Sequence, residues 1–319
     1  MRRCIANQHN QGGTMPKTYV HTALGGPETQ EFLDLPVPLP AEGQILIKVR
    51  AAGVNPADWK RRSNFSGTAA PLTAPQPMGL EAAGVIEAIG PGVEAFAVGE
   101  EVFGSVAGAG AWGEYSLLDG AVAAHKPASV SFADAATLPV AAATAYDGIR
   151  QLNLDEGATL LIIGAGGGVG IAAAQIAIGE GVKVIGTASE AKKGLLSSVG
   201  AVHVAYGPGV ADRIKEVAPD GIDAIYDMVG GDALRDVKSL APEGSKVITA
   251  ADGAAAAELG GSRVERARNS AVLEAVAALT EAGTLKPFVT ATFPLDQTAE
   301  ALALVESGHA TGKVVIEVY

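Results

Sequence analysis

Thr159-Leu160-Leu161-Ile162-Ile163-Gly164-Ala165-Gly166-Gly167-Gly168-Val169-Gly170-Ile171 is the stretch that organises the rest of the chain. An apolar, β-branched run breaks into glycines, and a small-residue amphipathic segment, Ile171 to Ile178, follows at once. That order predicts a strand, a turn and a helix. In such a unit the glycines let the backbone approach a pyrophosphate, and the N–H groups at the helix N-terminus point at it. The spacing departs from G-x-G-x-x-G, because the triplet in register is Ala165, Gly167 and Gly170. The strand before and the helix after supply the context that such a motif needs. A merely tight, glycine-rich βα turn is the competing reading.

At 319 residues the chain is long enough for two domains. Its 23 basic and 35 acidic residues leave a net charge of −12. That balance argues against a nucleic-acid partner or an anionic membrane surface. Hydrophobic residues make up 48% and charged residues 18%, which suits a compact α/β enzyme and not a disordered chain. No apolar run reaches the roughly 20 residues of a membrane span. Cys4 is the single cysteine, so a disulfide framework is excluded and a reducing, cytoplasmic setting is expected. Met1 to Gly13 is polar and lacks the apolar core of a signal peptide. Residues 1–14 are expected to form a disordered tail, with Met15 as an alternative start. Cys4 and His9 there could bind a metal, but a solvated tail explains them as well.

From Thr18 to about Val130 the chain reads as short strands and turns. Gln44 to Arg50 alternates as a half-buried strand does, Leu80 to Ile89 is an apolar run, and Pro91-Gly92, Val98-Gly99 and Gly108 to Gly110 punctuate. A partly open β-barrel or sandwich is expected. The pattern changes near Ser131: Phe132 to Leu138 reads as a helix stopped by Pro139, and Val140 to Leu152 as another. Beyond it, strands at 159–163, 182–187, 201–205, 222–227 and 245–250 alternate with helices at 169–179, 190–199, 211–218 and 231–241. Short connections in that alternation predict a parallel, doubly wound sheet. A helix from Asn269 to Ala282, a strand near Phe288 to Phe293, a helix from Asp296 to Ser307 and a final strand from Lys313 to Val318 complete the chain. The expected division is a nucleotide-binding domain at 131–268, flanked by 15–130 and 269–319, which together build a second domain.

The second strand of the sheet tests the choice of dinucleotide. Enzymes that use NAD place an acidic residue about 20 positions on, where it holds the ribose 2′-OH. Here the strand ends Val184-Ile185-Gly186-Thr187-Ala188-Ser189, with no acid before Glu190. Small hydroxyl residues followed by Lys192 and Lys193 favour a 2′-phosphate, hence NADPH. Glu190 opposes that choice through its charge, and a solvated helical turn would also account for the three charged residues. Histidines 9, 21, 125, 203 and 309 are scattered without ligand spacing, and no cysteine besides Cys4 is present, so no Cys/His zinc site is expected. A redox enzyme of this composition would move hydride without a Lewis-acid metal, the nicotinamide supplying the difficult chemistry.

Several motifs now fall into order: Ala52-Gly53-Val54-Asn55-Pro56-Ala57-Asp58-Trp59-Lys60, Met78-Gly79-Leu80-Glu81-Ala82-Ala83-Gly84-Val85-Ile86 and Gly90-Pro91-Gly92-Val93. Leu138-Pro139 with Thr144-Ala145-Tyr146, the Gly164–Gly170 turn, Asp227-Met228-Val229-Gly230-Gly231 and Gly312-Lys313-Val314-Val315 come after them. In this order and spacing the chain, from about residue 16 to Tyr319, resembles the zinc-free quinone oxidoreductase branch of the medium-chain dehydrogenase/reductase superfamily. The resemblance implies a GroES-like, β-rich catalytic domain built from both chain ends and a Rossmann domain between them. Zinc-dependent relatives carry a cysteine after the first glycine motif and a histidine where Leu80 stands, and neither is present here.

The resemblance also implies roles. Gly167, Gly168 and Val169 would meet the pyrophosphate through backbone N–H groups. Thr187 and Ser189 would face the 2′-phosphate, with Tyr206 near the adenosine. Thr144 would bond the nicotinamide carboxamide, and Val229 and Ala250 would line its pocket. Tyr206 could instead pack at a strand end, and Thr144 could bond its own helix backbone. Asn55 would bond a substrate carbonyl. Lys60 stands where quinone reductases often carry tyrosine, and could donate a proton or support an enolate. It could equally pair with Asp58 or a surface carboxylate, while Asp58 could simply cap a helix. The expected activity is an NADPH-dependent reduction of a quinone or α,β-unsaturated carbonyl by a homodimer joined through the Rossmann sheet edge. A catalytically silent NADPH-binding sensor or scaffold is the alternative, and a zinc alcohol dehydrogenase a more distant one. The loops Asn64 to Gln76 and Val106 to Trp112 would decide the substrate.

Overall fold

A computed structural model describes residues 15–65, 67, 72–107 and 110–319. The tail expected at 1–14 lies outside them, as do Ser66, residues 68–71, Gly108 and Ala109 of the two loops expected to set substrate choice.

Six strands form a parallel sheet in the order Val202–Ala205, Lys183–Ala188, Thr159–Ile163, Ala224–Asp227, Lys246–Thr249, Ser262–Arg263. Numbered along the chain this is the order 3-2-1-4-5-6, the doubly wound arrangement that binds dinucleotides where the strand order reverses. The reversal lies between Thr159–Ile163 and Ala224–Asp227. The run Leu160 to Ile163 is apolar on both faces because both are covered. Leu160 and Ile162 enter one core with the helices Ala143–Leu152, Gly168–Gly179 and Ser270–Glu281, while Leu161 and Ile163 enter another with Val210–Val217 and Gly231–Lys238.

The second sheet joins Gln44–Val54, Glu81–Ile89, Glu101–Val106 and Tyr115–His125 antiparallel, and an extra pairing of Gln44–Val54 with Tyr115–His125 closes these four on themselves. The C-terminal strand Lys313–Glu317 adds antiparallel to Gln44–Val54, and Val289–Pro294 lies beside it in parallel. Both ends of the chain therefore meet in one sheet, and Trp112, fully buried, donates its indole N–H to the Gly53 carbonyl at 3.2 Å inside it. Arg62, buried at the end of the helix Pro56–Arg62, reaches Gln30 at 2.9 Å and Glu306 at 2.8 Å, tying residues from both ends together.

Two local expectations change. A short helix, Pro56–Arg62, stands in a region whose pattern reads as strand and turn. The helix at Phe132 ends at Ala135, so Pro139 is not its stop. That proline lies in the first turn of a wide, π-type segment, Leu138–Ala142, where its missing N–H costs nothing, and the chain runs on into Ala143–Leu152. The helix Ser270–Glu281 sends Val272, Leu273, Val276 and Ala277 into the core of the parallel sheet, while Ser270 bonds Ala121 of the antiparallel sheet at 3.1 Å.

Candidate active site

The turn after Thr159–Ile163 is built by close contacts. Gly164 takes the positive φ of 79°, one residue before the fingerprint position held by Ala165. Ala165 keeps its methyl because Gly186 opposite has none: a Cβ there would come 2.5 Å from the Ala165 Cβ. Gly170 is required by backbone, since its Cβ would fall 2.5 Å from the Gly164 oxygen. Gly167 is the N-cap of the helix Gly168–Gly179 with extended backbone and no side-chain cap. A Cβ on it would meet only the Gly164 oxygen, at 3.6 Å. The helix N-terminus is thus open and uncapped, which is the cradle a dinucleotide pyrophosphate requires. The Gly168 and Val169 N–H groups would hold it, whereas the Gly167 N–H, also expected there, donates within the turn to the Gly164 carbonyl at 3.2 Å.

A buried polar cluster stands beside this turn. Gly168 faces the Lys313 side chain so closely that a Cβ would come 2.6 Å from its Cδ. Lys313 Nζ donates to Asn55 Oδ1 at 2.6 Å, to Glu81 Oε1 at 2.9 Å and toward the Val54 carbonyl at 3.5 Å. Asn55 Nδ2 donates to the same Glu81 oxygen at 2.7 Å, and the Val140 N–H to Oε2 at 2.7 Å. Glu81 is fully buried and Lys313 nearly so, and a charge pair survives there because both carboxylate oxygens accept hydrogen bonds and the ammonium has three acceptors in reach. Gly53 makes the room: a Cβ would lie 2.1 Å from Glu81 Oε1. Asn55 is the N-cap of Pro56–Arg62, and its N–H donates to Asp58 Oδ2 at 2.8 Å, so Asp58 does cap this helix. Burial pushes the Asp58 carboxyl up to about 7, against the lowering effect of that N–H.

Lys60 is not part of this cluster. Its ammonium lies 5.7 Å from the Trp59 ring centre and 5.2 Å from that of Phe65. It makes no pair with Asp58, and Lys313, not Lys60, is the ammonium that touches Asn55. The helix turns successive side chains by about 100°, so five residues separate the faces of Asn55 and Lys60.

Thr144 is buried little more than one turn after Pro139. Its hydroxyl donates to the Val140 carbonyl and accepts from Arg266 Nη1, both at 2.5 Å. Arg266 also pairs with Asp147 at 2.9 Å and donates to the Pro139 carbonyl at 3.1 Å. The backbone-bonded alternative for Thr144 is thus realised, and one lone pair remains on its oxygen. Val229, 57% exposed, stands against Gly164, where a Cβ would come 2.9 Å from its Cγ2. Ala250 is half-buried at the end of the next strand, its N–H on the Asp227 carbonyl at 2.8 Å. Asp227 fixes both loops: Oδ1 accepts the Val229 and Gly230 N–H groups at 2.9 Å, and Oδ2 the Thr249 hydroxyl at 2.7 Å.

Near the end of the strand Lys183–Ala188, Thr187 is buried and turned inward. Its hydroxyl accepts the Gly164 N–H at 3.3 Å and its carbonyl the Ala165 N–H at 3.0 Å, so it supports the turn and does not face outward as expected for a 2′-phosphate contact. Ser189 caps a short turn without a side-chain bond, and Tyr206 is 67% exposed next to it, its N–H on the Ala188 carbonyl. Glu190 pairs with Lys193 at 3.7 Å and lies 4.0 Å from His203. Lys192 packs over Gly166 and donates to the Ala310 carbonyl at 2.7 Å, and burial lowers its ammonium from the ordinary value.

The site therefore joins Asn55, Glu81, Lys313, the Gly167 turn and, through Val140, Thr144. Glu81 and Lys313 belong to motifs that carry the resemblance, yet nothing in their linear context marks them as partners. Among the described residues, no group of three or more His, Cys, Asp or Glu side chains could hold a metal ion, and no helix is long and apolar enough to cross a membrane.

Comparison with known proteins places this arrangement. Residues 41–128 match the family described as alcohol dehydrogenase GroES-like domain, and residues 199–316 that described as zinc-binding dehydrogenase. The chain is 34% identical over 315 residues to 2-methylene-furan-3-one reductase of Solanum lycopersicum, covering 94% of this chain and 78% of the relative. It is 34% identical over 317 residues to the chloroplastic NADPH-dependent alkenal/one oxidoreductase of Arabidopsis thaliana, covering 94% and 79%. Among solved structures, the quinone oxidoreductase from Coxiella burnetii superposes with a TM-score of 0.85 at 26% identity, covering 95% of this chain and 99% of that one.

Proposed function

Because the chain belongs to the quinone oxidoreductase-like branch of the medium-chain dehydrogenase/reductase superfamily, an oxidoreductase family using NAD(P)H, we propose that it reduces quinones or α,β-unsaturated carbonyls with NADPH and without zinc. The observation that carries the reading is the junction at Gly168, where an open pyrophosphate cradle meets the buried Asn55–Glu81–Lys313 cluster. NADPH, when bound, supplies the hydride. The chain's residues orient it: the Gly168 and Val169 N–H groups hold the pyrophosphate, with Gly167 leaving room for it, and Thr144 offers its remaining lone pair to a carboxamide N–H. Val229 and Ala250 flank the nicotinamide ring and Tyr206 the adenosine. Ser189 and Lys192 face the 2′-phosphate, and Glu190 opposes it. Asn55 donates to the substrate oxygen as charge develops there, in a water-poor site where such a bond is strong. A zinc-free mechanism fits a sequence with Leu80 at the ligand position and Cys4 as its one cysteine. The single cysteine also suits a reducing cytoplasm. Pairing of two copies along the sheet edge at Ser262–Arg263 would give a homodimer, which sedimentation would test.

The deciding experiment follows NADPH absorbance with purified protein and a panel of quinones and enones. Turnover with NADPH that exceeds turnover with NADH supports the reading. Tight NADPH binding with no turnover on any member would instead make the protein a cofactor-binding sensor or scaffold.

A further inference from the structure

Lysine carries no acceptor and an ionised carboxylate no donor, so the neighbours of Asn55 dictate which way its amide points. The atom facing Lys313 Nζ at 2.6 Å must be the oxygen, and the atom facing Glu81 Oε1 at 2.7 Å must be the nitrogen. The two orientations are not equivalent: a flip would set amide N–H against ammonium and amide oxygen against carboxylate, in a pocket where Asn55 is 4% exposed. Within that arrangement, Asn55 Oδ1 is engaged by a charged donor and one Nδ2 hydrogen is taken by Glu81. The second Nδ2 hydrogen has no partner among the described residues.

We propose that Glu81 and Lys313 are positioning residues that lock Asn55 as a hydrogen-bond donor, so that the site selects substrates presenting a carbonyl or quinone oxygen. This rests on the reading of Asn55 as the residue that meets the substrate. The lock is itself overdetermined. Lys313 is held by three acceptors, Glu81 by three donors, and the fixed backbone of Val140, one turn before Thr144, supplies one of those donors. Substrate oxygen and nicotinamide carboxamide are thereby referenced to one hydrogen-bonded chain, Asn55–Glu81–Val140–Thr144.

The test uses a saturated ketone, cyclohexanone, bound to the protein–NADP⁺ complex, where no hydride can move. Its affinity and the infrared stretch of its carbonyl are read in wild type, Lys313→Met, Lys313→Arg, Asn55→Asp and the double variant Glu81→Gln with Lys313→Met. NADP⁺ affinity is measured separately by fluorescence. In wild type the bound carbonyl stretch moves to lower frequency. Lys313→Met and Asn55→Asp are expected to lose that shift and weaken ketone binding at least tenfold, with NADP⁺ affinity held within threefold. Lys313→Arg should restore the shift. The double variant removes both charges together, so it stays folded and should still lack the shift. Retention of the shift in Lys313→Met or the double variant overturns the proposal, and so do a parallel loss of NADP⁺ and ketone binding or the absence of ketone binding in wild type. Ketone binding with the shift, but without NADPH turnover on quinones or enones, would leave the lock standing and remove the reductase reading instead.

Discussion

Asp58→Asn tests how the cluster beside the cofactor turn responds to pH. The ordinary carboxyl value of 3.8 rises to about 7 in the fold, chiefly through burial, with the Glu81 charge adding to the rise and Lys313 and Arg61 opposing it. The gap, at about 1.4 kcal/mol per pH unit, amounts to about 4 kcal/mol. Its sign comes from proton counting. Between about pH 4 and pH 7 the folded chain keeps a proton that the unfolded chain has released, so stability falls as pH rises through that window and stays lowered above it. The loss is about one-third developed by about pH 5, which leaves about 3 kcal/mol between there and pH 8. Asparagine removes this titration while its Oδ1 can still accept the Asn55 N–H that Asp58 holds at 2.8 Å. Urea unfolding of wild type and variant at about pH 5 and about pH 8 isolates the group, because every other titration cancels in the difference. The variant should gain on wild type by about 3 kcal/mol over that interval. A difference equal at both pH values would refute the assignment of a neutral, buried Asp58.

Gly170→Ala drives a Cβ to 2.5 Å from the Gly164 oxygen and 2.6 Å from the Ala165 Cα, and should cost about 1–3 kcal/mol and weaken NADPH binding together; thermal melts with and without NADPH read both. Glu190→Gln should tighten NADPH a few-fold and leave NADH unchanged, with the gain shrinking as salt rises, because Glu190 is exposed and screened. Fluorescence titration with the two nucleotides checks this. Lys60→Ala should lower stability by about 0.5–1 kcal/mol through the lost ring contacts and leave kcat unchanged; a large fall in kcat would return Lys60 to the chemistry.

The linear sequence determined whatever depends on neighbours along the chain. The apolar run Leu160 to Ile163, its glycine turn and the strand–helix alternation behind it determined the doubly wound sheet, since period and turn chemistry are local. The count of one cysteine by itself rules out a site that needs several cysteine ligands from this chain. Tertiary structure decided the rest. Glu81 and Lys313 meet across 232 positions because the last strand pairs with Gln44–Val54 and Gly53 leaves room for the carboxylate, and neither fact is written near either residue. Thr187 is turned inward, its carbonyl and its hydroxyl both on the Gly164 N–H at 3.1 and 3.3 Å, and Lys60 turned to Trp59 and Phe65 because helical pitch carries it away from Asn55. The glycine turn named the kind of cofactor. The packing of two chain ends against it decided which ammonium, which carboxylate and which face of an amide stand beside it, because those depend on distances that only the closed fold creates.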